Sequence, residues 1–355
     1  MRILYGVQGT GNGHITRARM LGPALEKRGA QVDYLFSGRD PEHYFGMELF
    51  GDYQCREGFT LQTEAGQLKT WQTIKSSSPA QFIKDVRQLD TRPYDLVVSD
   101  FEPITAWAAR LQGTPSIGVS HQYAFNYQIP GRECFGAIGP MIKWFAPVKE
   151  AIGLHWSSFG APLLPPMVAP VCTPEQYAPR LVVVYLPFES LERIISFLAP
   201  IQSHDFRVFA AVDCPREIGS VRVLPLSRDG FANSLAMSAG VFANAGFGVC
   251  SEAIQAGKKL LVKPVSGQIE QEANAVALER LELGAVMRTF DPERFELWLA
   301  DLKRPSTTKA WPATSEVLAD WIMDSERPPV RDLSAHAWSR APRPRNPDTR
   351  AALSQ

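Results

Sequence analysis

A stretch near the start of the chain, VQGTGNGHITRARML at residues 7–21, contains the first side chains that could do chemistry. Its glycines lead directly to His14. Glycine lets the backbone turn tightly and lets a ligand approach it closely. An imidazole is the side chain whose ordinary titration range suits proton transfer near neutral pH. The stretch therefore predicts a general base at His14, and the alternative is that the ring caps the following helix or packs against it.

The glycine spacing does not match either of the common nucleotide-binding patterns. The dinucleotide pattern G-x-G-x-x-G would need a glycine one position after Gly13, and its acid should end the second strand, whereas Asp33 falls inside that strand. The phosphate-binding pattern G-x-x-x-x-G-K-[ST] needs a lysine that this loop lacks. We therefore expect the loop to present His14 rather than to cradle a phosphate.

A carboxylate at the end of another apolar strand could orient that imidazole. YDLVVSD at residues 94–100 reads as a buried strand that ends in Asp100. The carboxyl ends of parallel strands gather the ligand site in α/β folds. The sequence therefore predicts that Asp100 lies close to His14. The alternative is that Asp100 caps the helix that starts near Pro103.

A second glycine motif lies in residues 244–275, NAGFGVCSEAIQAGKKLLVKPVSGQIEQEANA. Its glycine turn places backbone N–H groups at the start of a helix, where they can hold phosphate. Glu252 lies one turn into that helix, and a carboxylate there can accept two hydrogen bonds from a cis-diol such as a ribose. Taken singly, Glu252 and Glu270 also read as solvated first-turn acids. Polar side chains that suit a hydroxyl-rich ligand follow Pro264, and they are Ser266, Gln268, Glu270 and Gln271.

Alternating strand and helix signals predict how these residues are positioned. The alternation runs to about residue 120 and returns from residue 181, which predicts an α/β fold with two Rossmann-like, doubly wound domains. We expect an N-terminal acceptor-side domain over 1–172 and a C-terminal donor-binding domain over 178–325. Residues 121–172, rich in aromatics and prolines, read as an irregular insert and linker. The arginine- and proline-rich segment 326–355 reads as a disordered tail.

Composition limits the classes of function. Hydrophobic residues make up 45% and charged residues 21% of the 355 residues, and the formal net charge is zero. This balance argues against a nucleic-acid partner, which usually requires a basic surface. Five cysteines without a C-x-x-C pair argue against a disulfide framework and a zinc site. No apolar run approaches a membrane span or a signal peptide, so we expect a cytoplasmic protein.

The motif at residues 244–275 resembles the donor-binding region of nucleotide-sugar glycosyltransferases with the GT-B fold, in which two Rossmann-like domains face each other across a cleft. It is similar to that of the lipid-linked peptidoglycan N-acetylglucosaminyltransferases and to the signature box of plant UDP-glucosyltransferases, which ends in Asp/Glu-Gln. The resemblance implies a nucleotide-sugar co-substrate and no separate cofactor. The donor-binding roles that it implies are Gly246, Phe247 and Gly248 at the diphosphate, Glu252 at the ribose, and Glu270 and Gln271 at the donor sugar.

The opening sequence GTGNGH resembles the acceptor-side glycine loop of the same enzymes, with His14 at the position of the base. This resemblance places Gly11 and Gly13 beside the acceptor. His121, which ends a strand as Asp100 does, is a second acceptor-side candidate.

One turn departs from the pattern of the peptidoglycan enzymes. The first strand of the second domain ends in YLPFES, where those enzymes have a Gly-Gly-Ser turn that approaches phosphate. We expect Ser190 to take over part of that phosphate contact.

Together these features predict an inverting, metal-independent glycosyltransferase that moves a sugar from a nucleotide diphosphate, expected to be UDP, to an acceptor hydroxyl. The chain has no Asp-x-Asp motif, which fits a reaction without a metal. The acceptor is expected to be a small molecule, a lipid or a cell-envelope glycan. Residues 139–153, with Lys143 and Lys149 beside apolar side chains, read as a helix that either touches a membrane surface or packs in the core. Alternative functions are a UDP-sugar 2-epimerase and a non-catalytic nucleotide-sugar-binding protein.

Overall fold

The computed structural model describes residues 1–44, 46–58, 63–64, 67–68, 78–139, 141–171, 176–303 and 310–341. These residues form two compact units, each with its own largely parallel sheet. The first unit contains the described residues from 1 to 58, from 78 to 168 and from 311 to 341. The second contains the described residues between 63 and 68 and between 169 and 310.

Strands and helices alternate along the chain, as the sequence predicts for a doubly wound fold. Up to residue 153 they are β1 (Arg2–Gln8), α1 (Asn12–Glu26), β2 (Gln31–Ser37), β3 (Gln54–Arg56), β4 (Thr63–Glu64), β5 (Gln67–Leu68), α2 (Pro79–Gln88), β6 (Leu96–Asp100), α3 (Pro103–Gln112), β7 (Ser116–Ser120), α4 (Met141–Phe145) and β8 (Glu150–Gly153). From residue 181 they are β9 (Leu181–Tyr185), α5 (Leu191–Leu198), β10 (Asp205–Ala210), β11 (Arg216–Ile218), β12 (Val221–Pro225), α6 (Arg228–Met237), β13 (Gly240–Ala243), α7 (Phe247–Gln255), β14 (Lys259–Val262), α8 (Ile269–Arg280), β15 (Ala285–Val286), α9 (Pro292–Asp301), α10 (Thr314–Met323) and α11 (Val330–Ser339).

The sheet of the first unit has six parallel strands in the order β3-β2-β1-β6-β7-β8. Numbered along the chain, this order reads 3-2-1-4-5-6 and reverses between β1 and β6. In doubly wound sheets the crevice at this reversal, outside the carboxyl ends of the strands, is where ligands bind. The loop after β1 and the residue that ends β6 therefore meet at the edge of the sheet where ligands bind in this fold.

Helix α1 carries His14 in its first turn. The helix begins at Asn12, because Gly11 takes an extended conformation and forms its N-cap. Its apolar face is buried, as the helical spacing predicts. The residues of that face are Ile15, Ala18, Leu21 and Leu25.

The segment 121–172 differs from its prediction as an irregular insert. Residues 150–153 form β8, a sixth parallel strand that pairs with β7. The helix predicted over 139–153 is reduced to α4, where Met141 and Trp144 are exposed. A strand of four residues is too short for periodicity to distinguish it from a loop, which is why the sequence does not reveal it.

Six parallel strands and one antiparallel edge strand form the sheet of the second unit. Its order is β11-β12-β10-β9-β13-β14-β15, and β11 is the antiparallel strand. Without β11 the order again reads 3-2-1-4-5-6 along the chain, and it reverses between β9 and β13. The loops after β9 and β13 therefore meet at the carboxyl edge, where the second glycine motif lies.

The C-terminal segment differs from its prediction as a disordered tail. Helix α11 occupies residues 330–339, and both α10 and α11 belong to the first unit rather than to a domain that ends at 325. Two prolines precede α11 and read as a linker in the sequence, but proline is also well tolerated at a helix start. Residues 342–355 of the predicted tail lie outside the described residues.

Arg28, which follows α1, and Trp338 on α11 hold this C-terminal segment in the first unit. Arg28 pairs with Glu316 at 2.8 Å and with Asp320 at 2.6 Å, both on α10. The indole N–H of Trp338 on α11 donates to the carbonyl of Leu163 at 2.8 Å. These contacts join residues that are far apart in the chain, so local sequence patterns do not predict them.

Two further sequence expectations concern membranes and cysteines. Within the described ranges, no helix is both long and apolar enough to cross a membrane. Cys55, Cys134, Cys214 and Cys250 are free thiols. Cys172 lies outside the described residues.

Candidate functional site

Three side chains meet where the first sheet reverses, between the carboxyl ends of β1 and β6. His14 Nδ1 lies 2.8 Å from Asp100 Oδ1. Arg17 donates from Nε to Asp100 Oδ2 at 2.8 Å and from Nη2 to Asp100 Oδ1 at 2.7 Å. All three residues are buried, and Asp100 is fully enclosed. The structure therefore brings the predicted pair His14 and Asp100 together and adds Arg17 to it.

Sequence reasoning missed Arg17, although the signal was present. Arg17 follows His14 by three positions, and residues at this spacing lie on the same face of a helix. Once His14 and Asp100 are expected to meet, a cation on that face becomes a candidate partner for the carboxylate. The bidentate contact with Asp100 is the geometry that a guanidinium makes with a carboxylate.

The carboxylate of Asp100 is held in its ionised form. Burial alone would raise the pKa of Asp100, but the positive charge of Arg17 and the contacts with His14 outweigh it, so this pKa lies below its ordinary value. An ionised carboxylate can only accept hydrogen bonds. Asp100 therefore acts as an acceptor toward both neighbours.

Asp100 is not the cap of the helix that follows it. Glu102 forms the N-cap of α3, and its carboxylate accepts from the N–H groups of Ile104 at 2.9 Å and Thr105 at 2.6 Å. Between the two acids, Phe101 has a φ of 54°, a region that residues other than glycine seldom occupy. This turn separates the capping acid from Asp100, so the alternative interpretation of Asp100 is wrong.

Three glycines, one in β1 and two near the start of α1, are needed for different reasons. A Cβ added at Gly6 would overlap the side chain of Thr105, so packing alone requires that glycine. A Cβ at Gly11 would lie 4.0 Å from His14 Cδ2, and one at Gly13 would lie 3.8 Å from its nearest neighbour. Packing therefore does not explain Gly11 and Gly13, and the space beside the imidazole is open to a ligand.

His121 does not lie in an open acceptor site. Its side chain is fully buried, and its Nδ1 lies 2.9 Å from the carbonyl of Leu154, to which it donates. Its ring packs against Phe125 with the ring centres 5.0 Å apart. The acceptor-side prediction for His121 differs from the structure because Leu154 follows β8, the strand that the sequence analysis did not identify.

A cavity of about 680 Å³ opens beside the glycine loop of the first unit. It is lined by Thr10 and by the segments that follow β2 and β3. Side chains of both charges surround it, so it suits a polar ligand better than an apolar one. These side chains are Arg39, Asp40, His43, Arg56 and Glu57.

In the second unit, side chains of helix α8 hold the glycine turn in place through hydrogen bonds. Gly246 forms the N-cap of α7. Before it, the backbone of Ala245 is bound on both sides, since its N–H donates to Gln271 Oε1 at 3.2 Å and its carbonyl accepts from Asn274 Nδ2 at 2.9 Å. Gln271 Oε1 also accepts from the N–H of Val265 at 3.0 Å. The motif EQxxNA therefore fixes the turn that starts α7.

The other predicted donor-binding residues have distinct surroundings. Phe247 and Gly248 form the first two positions of α7, and the Phe247 ring is buried. Glu270 is half-buried in the first turn of α8. Ser190 is the N-cap of α5, and its Oγ accepts a backbone hydrogen bond at 3.3 Å. Its hydroxyl therefore stabilises a helix start at the reversal of the second sheet.

Glu252 has a pKa well above the ordinary value of a glutamate. It is half-buried on α7, and burial raises its pKa to about 7 against the opposing charge of Arg228. Hydrogen bonds donated to this carboxylate stabilise its ionised form and offset the cost of burying its charge. Ribose hydroxyls are such donors.

A buried ion pair lies at the same edge and was not predicted. Lys263 Nζ lies 2.6 Å from Glu189 Oε1, and the two side chains are only 9% and 1% exposed. Lys263 follows β14, and its backbone carbonyl accepts from Asn244 Nδ2 at 2.8 Å. Glu189 belongs to YLPFES, so the turn that departs from Gly-Gly-Ser supplies the partner of this lysine. Across the described part of the chain, no cluster of His, Cys, Asp or Glu could hold a metal ion.

Comparison with solved structures places both units in one known architecture. The chain is similar to the glycosyltransferase of kitacinnamycin (TM-score 0.62, 13% identity, 96% of this chain and 99% of that chain). It is similar to LpCGTa, solved with UDP (TM-score 0.59, 16% identity, 96% and 98%). It is also similar to MurG of Acinetobacter baumannii (TM-score 0.55, 16% identity, 90% and 98%). At these identities the likeness establishes the fold, which is GT-B.

Sequence comparison identifies the family. No curated protein gives a significant match to the chain. The family described as glycosyl transferase family 1 matches residues 1–134 and 159–303, which is most of the chain and includes both glycine motifs. The protein is a glycosyltransferase with the GT-B fold and belongs to glycosyl transferase family 1.

Proposed function

We propose that this glycosyltransferase is inverting and metal-independent, and that it moves a sugar from a UDP-linked donor to a hydroxyl of a polar acceptor. The observation that carries the proposal is the 2.8 Å contact between His14 and Asp100 at the reversal of the first sheet. A buried carboxylate that orients an imidazole is the arrangement that a general base needs.

In the proposed reaction, Nε2 of His14 takes the proton of the acceptor hydroxyl while Asp100 holds the opposite nitrogen of the ring. The acceptor oxygen forms a bond to the anomeric carbon on the face opposite the diphosphate. The bond from that carbon to the phosphate oxygen breaks, and its electron pair leaves with UDP. Attack from the opposite face inverts the configuration of the anomeric carbon.

The second unit supports the donor half of the proposal. The start of α7, at Gly246, offers backbone N–H groups and a positive helix end to the departing diphosphate. Glu252 is assigned to the ribose hydroxyls, and Glu270 with Gln271 to the donor sugar. Gln268 Oε1 adds a buried acceptor for which the described residues provide no donor. Such an acceptor suits a ligand rich in hydroxyl groups.

The first unit supports a polar acceptor. The cavity beside the glycine loop is lined by charges of both signs, which favour a sugar or another polyhydroxyl group over a flat apolar ring. A glycan or the sugar headgroup of a lipid would meet this requirement. The acceptor class is therefore proposed as hydroxyl-rich.

Thermal unfolding in the presence of nucleotides tests the donor half. A ligand that binds only the folded state raises Tm by mass action. We expect UDP or a UDP-sugar to raise Tm and the same ligand to lose its effect in Glu252→Ala. Glu279→Ala, an exposed acid on α8, is the matched control and should keep the shift. If no nucleotide raises Tm at millimolar concentration, or if Glu252→Ala responds as the wild type does, the donor assignment fails.

The affinity for a nucleotide sugar is expected to rise with pH through the Glu252 carboxyl. In the free protein the pKa of Glu252 is raised to about 7, so below that pH the group is mostly protonated. Ribose hydroxyls donate to the ionised form, so binding releases a proton and affinity falls as pH decreases below 7, approaching tenfold per pH unit. Calorimetric titration from pH 5.5 to 8 measures this, with a nucleotide sugar because its diphosphate does not titrate there. Glu252→Gln should remove the dependence, and an unchanged slope in that variant would exclude Glu252 as its source.

Replacing Gly13 by alanine is expected to reduce activity without reducing stability. The added Cβ has room in the protein, and alanine favours the helix by up to about 1 kcal/mol over glycine. The same methyl group would occupy space that we assign to the acceptor. We expect kcat/KM for the acceptor to fall while Tm is unchanged or higher. Gly6→Ala is the contrasting variant, because overlap with Thr105 should lower its Tm. Full activity in Gly13→Ala would place the acceptor elsewhere.

A further inference from the structure

A third group, the guanidinium of Arg17, contacts both His14 and Asp100. Arg17 Nη2 lies 2.8 Å from His14 Nδ1 and 2.7 Å from Asp100 Oδ1. A guanidinium is always charged in proteins. Any positive charge on the imidazole would therefore lie beside a permanent cation in a buried site. A like charge at this distance disfavours the charged form of a titratable group.

Acceptor chemistry locates the proton on the uncharged ring. An ionised carboxylate only accepts, so the 2.8 Å contact between His14 Nδ1 and Asp100 Oδ1 needs the proton on Nδ1. Arg17 Nη2 has acceptors for its own hydrogens in Asp100 Oδ1 and in Ser120 Oγ, the latter at 3.5 Å. With the proton on Nδ1, the 2.8 Å contact between Arg17 Nη2 and His14 Nδ1 is not a hydrogen bond, and the lone pair of the ring lies on Nε2.

We infer that Arg17 is a positioning residue that keeps the His14 imidazole uncharged, with its proton on Nδ1 and its lone pair on Nε2. Asp100 alone would favour the imidazolium, because a carboxylate stabilises a neighbouring cation. Arg17 offsets that attraction and fixes the carboxylate through two hydrogen bonds. The inference rests on the proposed role of His14 as the base, and it explains how a buried carboxylate orients the ring without charging it.

Charged and titratable groups reach this cluster from three elements. Arg17 lies on α1 with His14, Asp100 ends β6, and Tyr5 comes from β1. Burial raises the pKa of Tyr5 well above its ordinary value, so its hydroxyl stays neutral across the working pH range. The charge state of the His14 imidazole therefore depends on the opposing effects of Asp100 and Arg17.

Nitrogen NMR of the histidine rings in the full-length chain tests the inference without any substrate. The signal of His14 is identified by its loss in His14→Gln. In the wild type we expect an uncharged ring with its proton on Nδ1 at neutral pH, and a charged ring or the opposite tautomer would overturn the inference. In Arg17→Met we expect the midpoint of the His14 titration to rise by about 1–2 pH units. An unchanged midpoint would also overturn it.

Arg19→Met is the matched control. Arg19 lies on the same helix, two positions after Arg17, and residues at that spacing do not share a helix face. Its side chain donates to the carbonyl of Gly46 at 2.6 Å. Its removal should leave the His14 midpoint in place, and an equal rise would mean that net charge alone is responsible. Should Arg17→Met fail to fold, a charged His14 ring in the wild type would still overturn the inference.

The rate profile separates this inference from the proposed function. If His14 is the base, the acidic limb of kcat against pH should move in Arg17→Met with the NMR midpoint. If the NMR midpoint moves and the rate profile does not, the inference about Arg17 stands and the role of His14 as the base fails.

Discussion

Replacing His14 by glutamine is expected to lower kcat by about 10²–10⁴-fold, the range that a positioned general base contributes. Glutamine can still hydrogen-bond to Asp100 but cannot take up the proton of an acceptor hydroxyl. The donor residues belong to the other unit, so the Tm increase caused by the nucleotide should be unchanged. Steady-state rates together with nucleotide-induced Tm shifts measure both effects.

His336→Gln is the control for this variant. His336 is exposed on α11 in the same unit and lies outside the site, so its replacement should leave kcat at the wild-type value. A His14→Gln enzyme that keeps more than a tenth of the wild-type kcat would contradict the assignment of the base. A loss of the nucleotide-induced shift would point to misfolding instead.

Replacing Lys263 by methionine is expected to destabilise the protein by about 3–5 kcal/mol, the effect of leaving one member of a buried ion pair without its partner. The carboxylate of Glu189 is almost fully enclosed, so water cannot replace the lost ammonium. Thermal and denaturant unfolding, followed by circular dichroism, measure the change as a lower Tm and a lower midpoint.

The double variant Lys263→Met/Glu189→Leu separates the pair from its packing. Removing both charges eliminates the unpaired carboxylate, so most of the lost stability should return. A single variant as stable as the wild type would show that water reaches Glu189 and that the pair contributes little. A double variant no more stable than the single one would mean that Lys263 acts through its packing rather than its charge.

The sequence predicts the fold well because strand and helix periods alternate clearly in both halves. It also predicts that His14 and Asp100 meet, since His14 follows one parallel strand, Asp100 ends another, and such ends share one edge of the sheet. The glycine turn at Gly246 is predicted for the same reason. These are features that local pattern and topology determine together.

What the sequence does not reveal depends on contacts between distant residues. Strand β8 has four residues and no distinctive period, and its presence encloses His121. Helix α11 is held by Leu163, which lies more than a hundred residues earlier in the chain. The pairing of Lys263 with Glu189 joins the ends of two strands that are not neighbours in the chain. Arg17 is the exception, because its spacing from His14 carried the signal.

Product analysis with a nucleotide sugar and a panel of hydroxyl-rich acceptors tests directly whether this protein transfers a sugar. Mass spectrometry and phosphorus NMR follow both substrates at once. We expect one acceptor to gain a single glycosyl residue while an equal amount of nucleoside diphosphate is released. Conversion of the nucleotide sugar into an isomeric nucleotide sugar, with no glycosylated acceptor, would contradict sugar transfer and identify an epimerase. Binding of the nucleotide sugar without any turnover would likewise contradict it and identify a binding protein.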